Sequence, residues 1–383
     1  MALNFPIYLD NQATTPLDPR VLKAMTPYLG EKFGNPHSTS HRFGWEAAAA
    51  IDVARGKIAN LIGAEAREIF FLSGATEANN LAIKGLAETY SGRKSRIITV
   101  STEHKCVLES CLACEKWGFE TTFLGVGKDG LVDLSDLEKT LDESVALVSV
   151  MAVNNEIGVI QPLGEIGKLC REKGILFHCD AAQAFGKIPL DVAAMKIDLM
   201  SLSGHKIYGP KGIGALYIKK SVKRLLIPQM SGGGQEGGLR SGTLPPALCV
   251  GFGVAAAIAG DEMSAEAARM KAVFRGFLQT LENSGINFRV NGPVERRWHG
   301  NLSITFPEID GDLLLSALKK IAVSSGAACA SATEGPSYVL GALGVPEKAA
   351  KGTIRVGFGR FTTGDEAEYA AGYIAETVKR FKG

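Results

Sequence analysis

Val145-Ala-Leu-Val-Ser-Val-Met-Ala-Val153 is a nearly unbroken apolar run rich in β-branched residues, and it ends abruptly in Asn154-Asn155-Glu156. A run of this length bounded by polar residues reads as a strand buried on both faces, as in a parallel sheet. Similar short apolar runs occur at 68–72, 95–100, 174–179, 199–203 and 214–218, separated by amphipathic helical stretches. Strands alternating with helices predict βαβ units and a mostly parallel central sheet flanked by helices, an α/β fold.

Ligands of such sheets bind beyond the carboxyl ends of the strands. Five of the six runs lead directly into polar clusters: Ser73-Gly-Ala-Thr-Glu77, Ser101-Thr-Glu-His-Lys105, Asn154-Asn-Glu156, Asp180-Ala-Ala-Gln183 and Ser203-Gly-His-Lys206. Turn chemistry alone would scatter such residues over both edges. Their placement on one predicted edge points to a single binding site. Farther along, 261–282 reads as a long helix leaving the sheet, followed by a smaller α/β lobe that includes a strand over 301–305. The amino-terminal dozen residues are expected to pack on that lobe. The division is thus 13–260 for the large domain and 1–12 with 261–383 for the small one.

The chain of 383 residues carries 42 basic and 40 acidic side chains, a formal charge of +2. That balance lacks the positive field of a dedicated nucleic-acid binder, so no nucleic-acid partner is expected. With 46% hydrophobic and 21% charged residues, the composition is that of a folded globular protein. No basic and then apolar leader opens the sequence, and the longest uncharged apolar stretch, 247–260, is shorter than a membrane span. A cytoplasmic protein without membrane association is expected. Seven cysteines, an odd number without a leader, point to reduced thiols.

Several polar residues suit a particular chemistry. Ser73-Gly74-Ala75-Thr76 before a helix-forming run offers backbone N–H groups where the helix dipole is positive, a site for phosphate or an ordinary N-cap. Lys206, beside a hydroxyl and a histidine after an apolar strand, suits Schiff-base formation. Asp180, at the end of another strand, supplies the acid that pyridoxal phosphate requires at its ring nitrogen. His104 suits ring stacking or proton transfer. Arg355, in Thr-Ile-Arg-Val, offers a planar fork for a carboxylate. Cys329 lies among small residues in Ser-Ser-Gly-Ala-Ala-Cys-Ala-Ser, a segment over about 324–336 expected to move and to expose its thiol. Cys106, Cys111 and Cys114 have a spacing used by iron-sulfur proteins, but their segment reads as a buried helix without a fourth ligand.

Together these segments resemble one family, the cysteine desulfurases of the NifS/IscS group, fold-type I pyridoxal-phosphate enzymes of aminotransferase class V. The resemblance runs nearly the full length and rests on Tyr8-Leu-Asp-Asn-Gln-Ala-Thr-Thr-Pro16, Ser73-Gly-Ala-Thr-Glu-Ala-Asn-Asn80, Asn154-Asn-Glu-Ile-Gly158, His178-Cys-Asp-Ala-Ala-Gln183, Ser203-Gly-His-Lys206, Arg240-Ser-Gly-Thr-Leu-Pro245 and Ser324-Ser-Gly-Ala-Ala-Cys329. It implies that Lys206 forms the imine with the cofactor, Asp180 pairs with the ring nitrogen, Gln183 meets the phenolic oxygen and His104 stacks on the ring. Ala75, Thr76, Ser203 and His205 would hold the phosphate, with Thr243 reaching in from the second subunit of a homodimer. Asn154 and Arg355 would bind substrate. L-cysteine would become L-alanine, leaving a persulfide on Cys329 for an iron-sulfur scaffold or another sulfur acceptor.

A selenocysteine lyase or another class V lyase would keep Lys206 and Asp180 without depending on Cys329. A noncatalytic sulfur or iron-sulfur platform, in which Cys329 lends a transient cluster ligand, is the reading from another class. Two departures from the IscS pattern stand out. Gln235 and Gly237 replace a usual His and Arg, with tuning of the pocket rim expected. The sequence also ends at Gly383 without the carboxyl-terminal segment by which such proteins dock their scaffold.

Overall fold

The computed structural model describes residues 3–325 and 337–382. The strands in chain order are β1 (Ile7–Tyr8), β2 (Ile69–Leu72), β3 (Arg96–Val100), β4 (Glu120–Leu124), β5 (Val145–Met151), β6 (Leu176–Asp180), β7 (Leu199–Ser203) and β8 (Gly214–Ile218). They continue with β9 (Arg289–Val290), β10 (Asn301–Thr305), β11 (Ile321–Ala322), β12 (Ser324–Ser325) and β13 (Thr353–Gly357). The apolar runs build one seven-stranded sheet in the order β2-β8-β7-β6-β5-β3-β4. Its pairs from β4 through β7 are parallel, while β8 runs antiparallel to both β7 and β2.

β5, β7 and β8 are buried at every position, as continuous apolar runs demand. The predicted α/β class and the six predicted strands are therefore present, with ends shifted by a residue or two. Within this sheet, β4 is the strand that sequence reading missed. It lies at the sheet edge, and its Glu-Thr-Thr-Phe-Leu buries only the final Leu124, so it lacks both an apolar run and a clean alternation.

A second sheet, β12-β13-β10-β9, is antiparallel throughout, and β1 pairs in parallel with β11. Asp10 continues that edge by bridging to Gly357 at the end of β13. The amino-terminal residues thus run from β11, past β13, towards the large sheet.

In the chain, between β8 and β9, runs one uninterrupted helix, Pro246–Asn283, of 38 residues. The sequence suggested a buried stretch over 247–260 and a separate helix over 261–282; they are one element, and residue 260 lies inside it. The glycines in its first half are close-approach positions. A Cβ on Gly253 would stand 2.5 Å from Ala54 Cα in the helix Arg42–Leu61, and one on Gly251 would stand 2.5 Å from Met25 Sδ. This helix is long and apolar enough to cross a membrane by length and composition alone. It packs instead against the helices Pro19–Leu29, Arg42–Leu61 and Gly364–Lys382.

Two glycines in the same helix should respond in opposite ways. Gly253→Val forces a branched side chain into backbone of the facing helix and should lower stability by about 1–3 kcal/mol. Gly276→Ala, at an exposed position with nothing within 4 Å of the new methyl, should raise it by up to about 1 kcal/mol. Urea unfolding of both variants against the native protein checks the pair.

Candidate active site

β2, β3, β5, β6 and β7 all point their carboxyl ends to one edge of the large sheet. A cavity of about 520 Å³ opens there, lined by residues from all five polar clusters. A larger hollow of about 1060 Å³ lies along the last helix between Lys320, Tyr373 and Arg380. It brings together none of the residues singled out for chemistry, so volume does not decide the site.

Lys206 ends a tight turn after β7, and its Nζ donates to the backbone carbonyls of Gln12 at 2.5 Å and Ala13 at 2.7 Å. The amine is thereby held inside the cavity. Asp180, 4% exposed at the end of β6, accepts from Asn79 Nδ2 at 2.7 Å and from the Ala182 N–H at 2.9 Å. One bond falls on each carboxylate oxygen, which fixes the orientation of the group. His104 caps the helix Lys105–Leu112, where its Nδ1 accepts the Cys106 N–H at 3.2 Å. The lone pair is therefore on Nδ1, and in the neutral ring the proton is on Nε2.

The helix Ala75–Tyr90 begins at the cavity with Gly74 as its cap, so the N–H groups of Ala75 and Thr76 stand at a positive dipole end. Ser203 and His205 line the same corner. His205 accepts from or donates to Thr14 Oγ1 at 3.0 Å, and its pKa is pushed down to about 4 by burial and then by Lys206, Lys211 and Lys187. Neutral imidazole, three nearby lysines and a helix N-terminus make this corner fit for a phosphate.

Arg355, in β13 and 2% exposed, turns its guanidinium into the cavity wall. It pairs with Asp10 at 3.0 Å and donates to the Asn155 carbonyl at 3.3 Å, while its Nε has no partner among the described residues. Asn154 requires a correction. It does not line the cavity; its Nδ2 donates to the Thr102 carbonyl at 2.8 Å and its Oδ1 accepts the N–H groups of Glu156 and Ile157, both at 2.9 Å. An asparagine engaged in its own turn cannot also serve a ligand. Asn155 faces the cavity instead, and its Oδ1 has no partner among the described residues.

Thr243 is exposed and is not among the residues lining this chain's own cavity. Gln235 does not line it either, and accepts the Gly242 N–H at 2.7 Å, closing the loop that carries Thr243. Gly237 adopts φ +62°, in the left-handed region that favours glycine. Between them Glu236 is buried and pairs with Arg55 at 2.8 Å, an anchor that sequence reading missed. Cys329 lies outside the described residues.

Sequence reading also missed Gln12, whose carbonyl holds Lys206, and Cys106, which lines the cavity 3.0 Å from His104 Nδ1 while Cys111 and Cys114 are buried. Among the described residues no group of three His, Cys, Asp or Glu converges as metal ligands. Glu103 is fully buried, with one oxygen on the Met151 N–H at 2.6 Å and the other without a partner among the described residues, and burial holds its pKa well above the carboxylate range. Glu156, 5% exposed, is pushed up to about 7 by burial and accepts from Ser337 Oγ at 2.5 Å. No periodicity or motif spacing marks such groups, because their character comes from what surrounds them.

A lysine amine, a buried acid on a neighbouring strand and a helix N-terminus at the carboxyl edge of a mostly parallel sheet define a fold-type I pyridoxal-phosphate enzyme. Residues 7–369 match the family described as aminotransferase class-V, and the chain belongs to that family. Within it the chain stands among the cysteine desulfurases. It is 54% identical over 380 residues to the cysteine desulfurase IscS of Rickettsia bellii, covering 99% of this chain and 93% of that protein. A solved NifS-like protein superposes with a TM-score of 0.91 at 39% identity, covering 98% of this chain and all of that one. A structure described as SspA in complex with cysteine gives 0.82 at 38% identity, with 93% of this chain and all of that one covered.

The polar layer beneath Asp180 should leave a pH signature. His178 is fully buried between Ser149 Oγ at 2.8 Å and Ser201 Oγ at 2.9 Å, and burial pushes its pKa down to about 3. The unfolded chain takes up this proton near pH 6.5, so the stability His178 contributes is present above that value and drains as pH falls towards 3, by about 1.4 kcal/mol per unit. Urea unfolding between pH 7 and 5 should show a shallower loss for His178→Asn than for the native protein. Equal slopes would mean that His178 protonates in the folded state.

Proposed function

We propose that the chain binds pyridoxal 5'-phosphate in the cavity around Lys206 and converts L-cysteine to L-alanine, leaving the sulfur as a persulfide on Cys329. The observation that carries this reading is the convergence, in one cavity, of the Lys206 amine, the Asp180 carboxylate and the opening turn of the helix Ala75–Tyr90. These match the three chemical demands of the cofactor: an amine for its carbonyl, an anion for its pyridinium and donors for its phosphate. Ala75, Thr76, Ser203 and His205 would hold the phosphate, Asp180 the ring nitrogen, Gln183 the phenolic oxygen and His104 the ring face. Bound there, the cofactor supplies an electron sink for the carbon next to the substrate amine.

The chain's own residues would do the rest. Arg355 binds the substrate carboxylate through its fork, with Asn155 beside it in place of the expected Asn154. Lys206 would take the Cα proton and return a proton to the product. The Cys329 thiolate attacks the substrate sulfur, so that the Cβ–S bond breaks, an S–S bond forms and Cβ gains a proton. L-cysteine and one thiol thus give L-alanine and one persulfide, with atoms and electrons balanced. Thr243, exposed on its own subunit, would complete the phosphate site of a second copy in a homodimer. The persulfide would pass to an iron-sulfur scaffold or another thiol acceptor in the cytoplasm.

The test incubates cofactor-loaded protein with L-cysteine alone, quantifying alanine and locating added sulfur by peptide mass spectrometry. About one alanine per chain and one added sulfur atom on Cys329 are expected before any reductant is present. Cys329→Ala should remove both, and Lys206→Ala should slow alanine release by roughly 10²–10⁴-fold. Loaded protein that yields neither alanine nor persulfide would sink this reading.

A further inference from the structure

Behind the cavity lies a buried cation to which the reaction assigns no part. Lys187 is 8% exposed and sits four residues after Gln183, with its Nζ donating to Gln183 Oε1 at 3.0 Å. The titratable and charged groups that face it are Lys206, His205 and Glu266, the last paired with Arg360 at 2.9 Å. Burial and the neighbouring Lys206 push the Lys187 pKa down to about 7, the expected strain of a cation kept from water.

Gln183 is gripped at its other end as well. Its Nε2 donates at 2.9 Å to the Gln12 carbonyl, the same oxygen that accepts from Lys206 Nζ. An amide has one accepting oxygen and one NH₂ with two donors. Turned over, it would set N–H against the Lys187 ammonium wherever that group is protonated, below about pH 7, and at every pH oxygen against the Gln12 carbonyl. The second N–H of Gln183 meets no acceptor among the described residues, and Gln183 lines the cavity. This wall therefore offers a donor and not an acceptor.

We propose that Lys187 is a positioning residue that locks the Gln183 amide so that the cavity presents an N–H to an anionic ring oxygen of the bound group, thereby lowering the proton affinity of the nitrogen at Lys206. The proposal rests on the reading that pyridoxal phosphate occupies the cavity, whose phenolic oxygen is such an acceptor. A donor held on that oxygen favours the state in which it carries more negative charge, which is the state with the adjacent nitrogen deprotonated.

The experiment is a pH titration of the visible absorption of the cofactor-loaded protein, with cofactor stoichiometry and thermal melting measured in parallel. Lys187→Met should retain the cofactor and raise the titration midpoint by about one unit, tenfold in proton affinity. Lys187→Arg, which keeps both charge and donors, should stay near the native midpoint. In a Gln183→Ala background, Lys187→Met should add little further shift, because its effect runs through the amide. Lys187→Ala, which admits water, carries the same expected direction should the Met variant not fold. An unchanged midpoint overturns the proposal, and so does an equal shift in both backgrounds, which would mark a direct charge effect. If the native protein takes up no stoichiometric pyridoxal phosphate, the reading of the site fails first and this inference with it.

Discussion

The carbonyl oxygen of Gln12 is the point through which the site is assembled. It accepts from Lys206 Nζ and from Gln183 Nε2, while the Gln12 side chain donates to the Gly300 carbonyl at 2.6 Å. Its neighbours continue the seam: Asn11 Nδ2 reaches the Gly357 carbonyl at 2.8 Å, Asp10 pairs with Arg355, and Thr15 accepts from the Tyr208 N–H at 2.8 Å. One short segment, remote in sequence from every strand of the large sheet, thus ties that sheet to the second one and fixes Lys206 and Arg355 at once. A buried backbone carbonyl has to be satisfied, and here it is satisfied by the groups whose placement matters.

The electrostatics follow from this packing. Lys206 and Lys211 line the cavity, Lys187 lies behind Gln183, and burial together with the field of all three helps to keep His205 neutral. The opposite wall is lined or backed by Asp180, Glu103 and Glu156, of which Glu103 and Glu156 are pushed towards the protonated state by burial. Asp180 is held by Asn79 and a backbone N–H, and Glu77, at the first turn of the helix, is paired with Arg240 at 3.0 Å. Beneath it, the Ser149–His178–Ser201 layer fills the interior between β5, β6 and β7 with paired polar groups at no net charge.

Much of this was legible in the sequence because the information is local. A strand buried on both faces has to be apolar along its whole length, and a polar cluster at its end has to emerge at the edge, so the sheet and the positions of Lys206, Asp180 and His104 follow from runs of fewer than ten residues. β4 escaped notice because an edge strand is under no such demand. The helix Pro246–Asn283 read as two elements because its glycines look like breaks until the partner backbones that require them are seen.

By itself, then, the sequence determined the α/β class, the edge on which chemistry collects and the residue types that chemistry uses. Only the tertiary structure decided which of two adjacent asparagines faces the cavity, that Cys106 reaches it while Cys111 and Cys114 do not, and that Gln12 and Lys187 act on residues far away or hidden behind the wall. The reason is physical. Strand and helix patterns are set by neighbours along the chain, whereas the direction of a polar side chain is set by whichever donors and acceptors folding brings to it. For Gln12 and Gln183 those partners lie 171 residues apart.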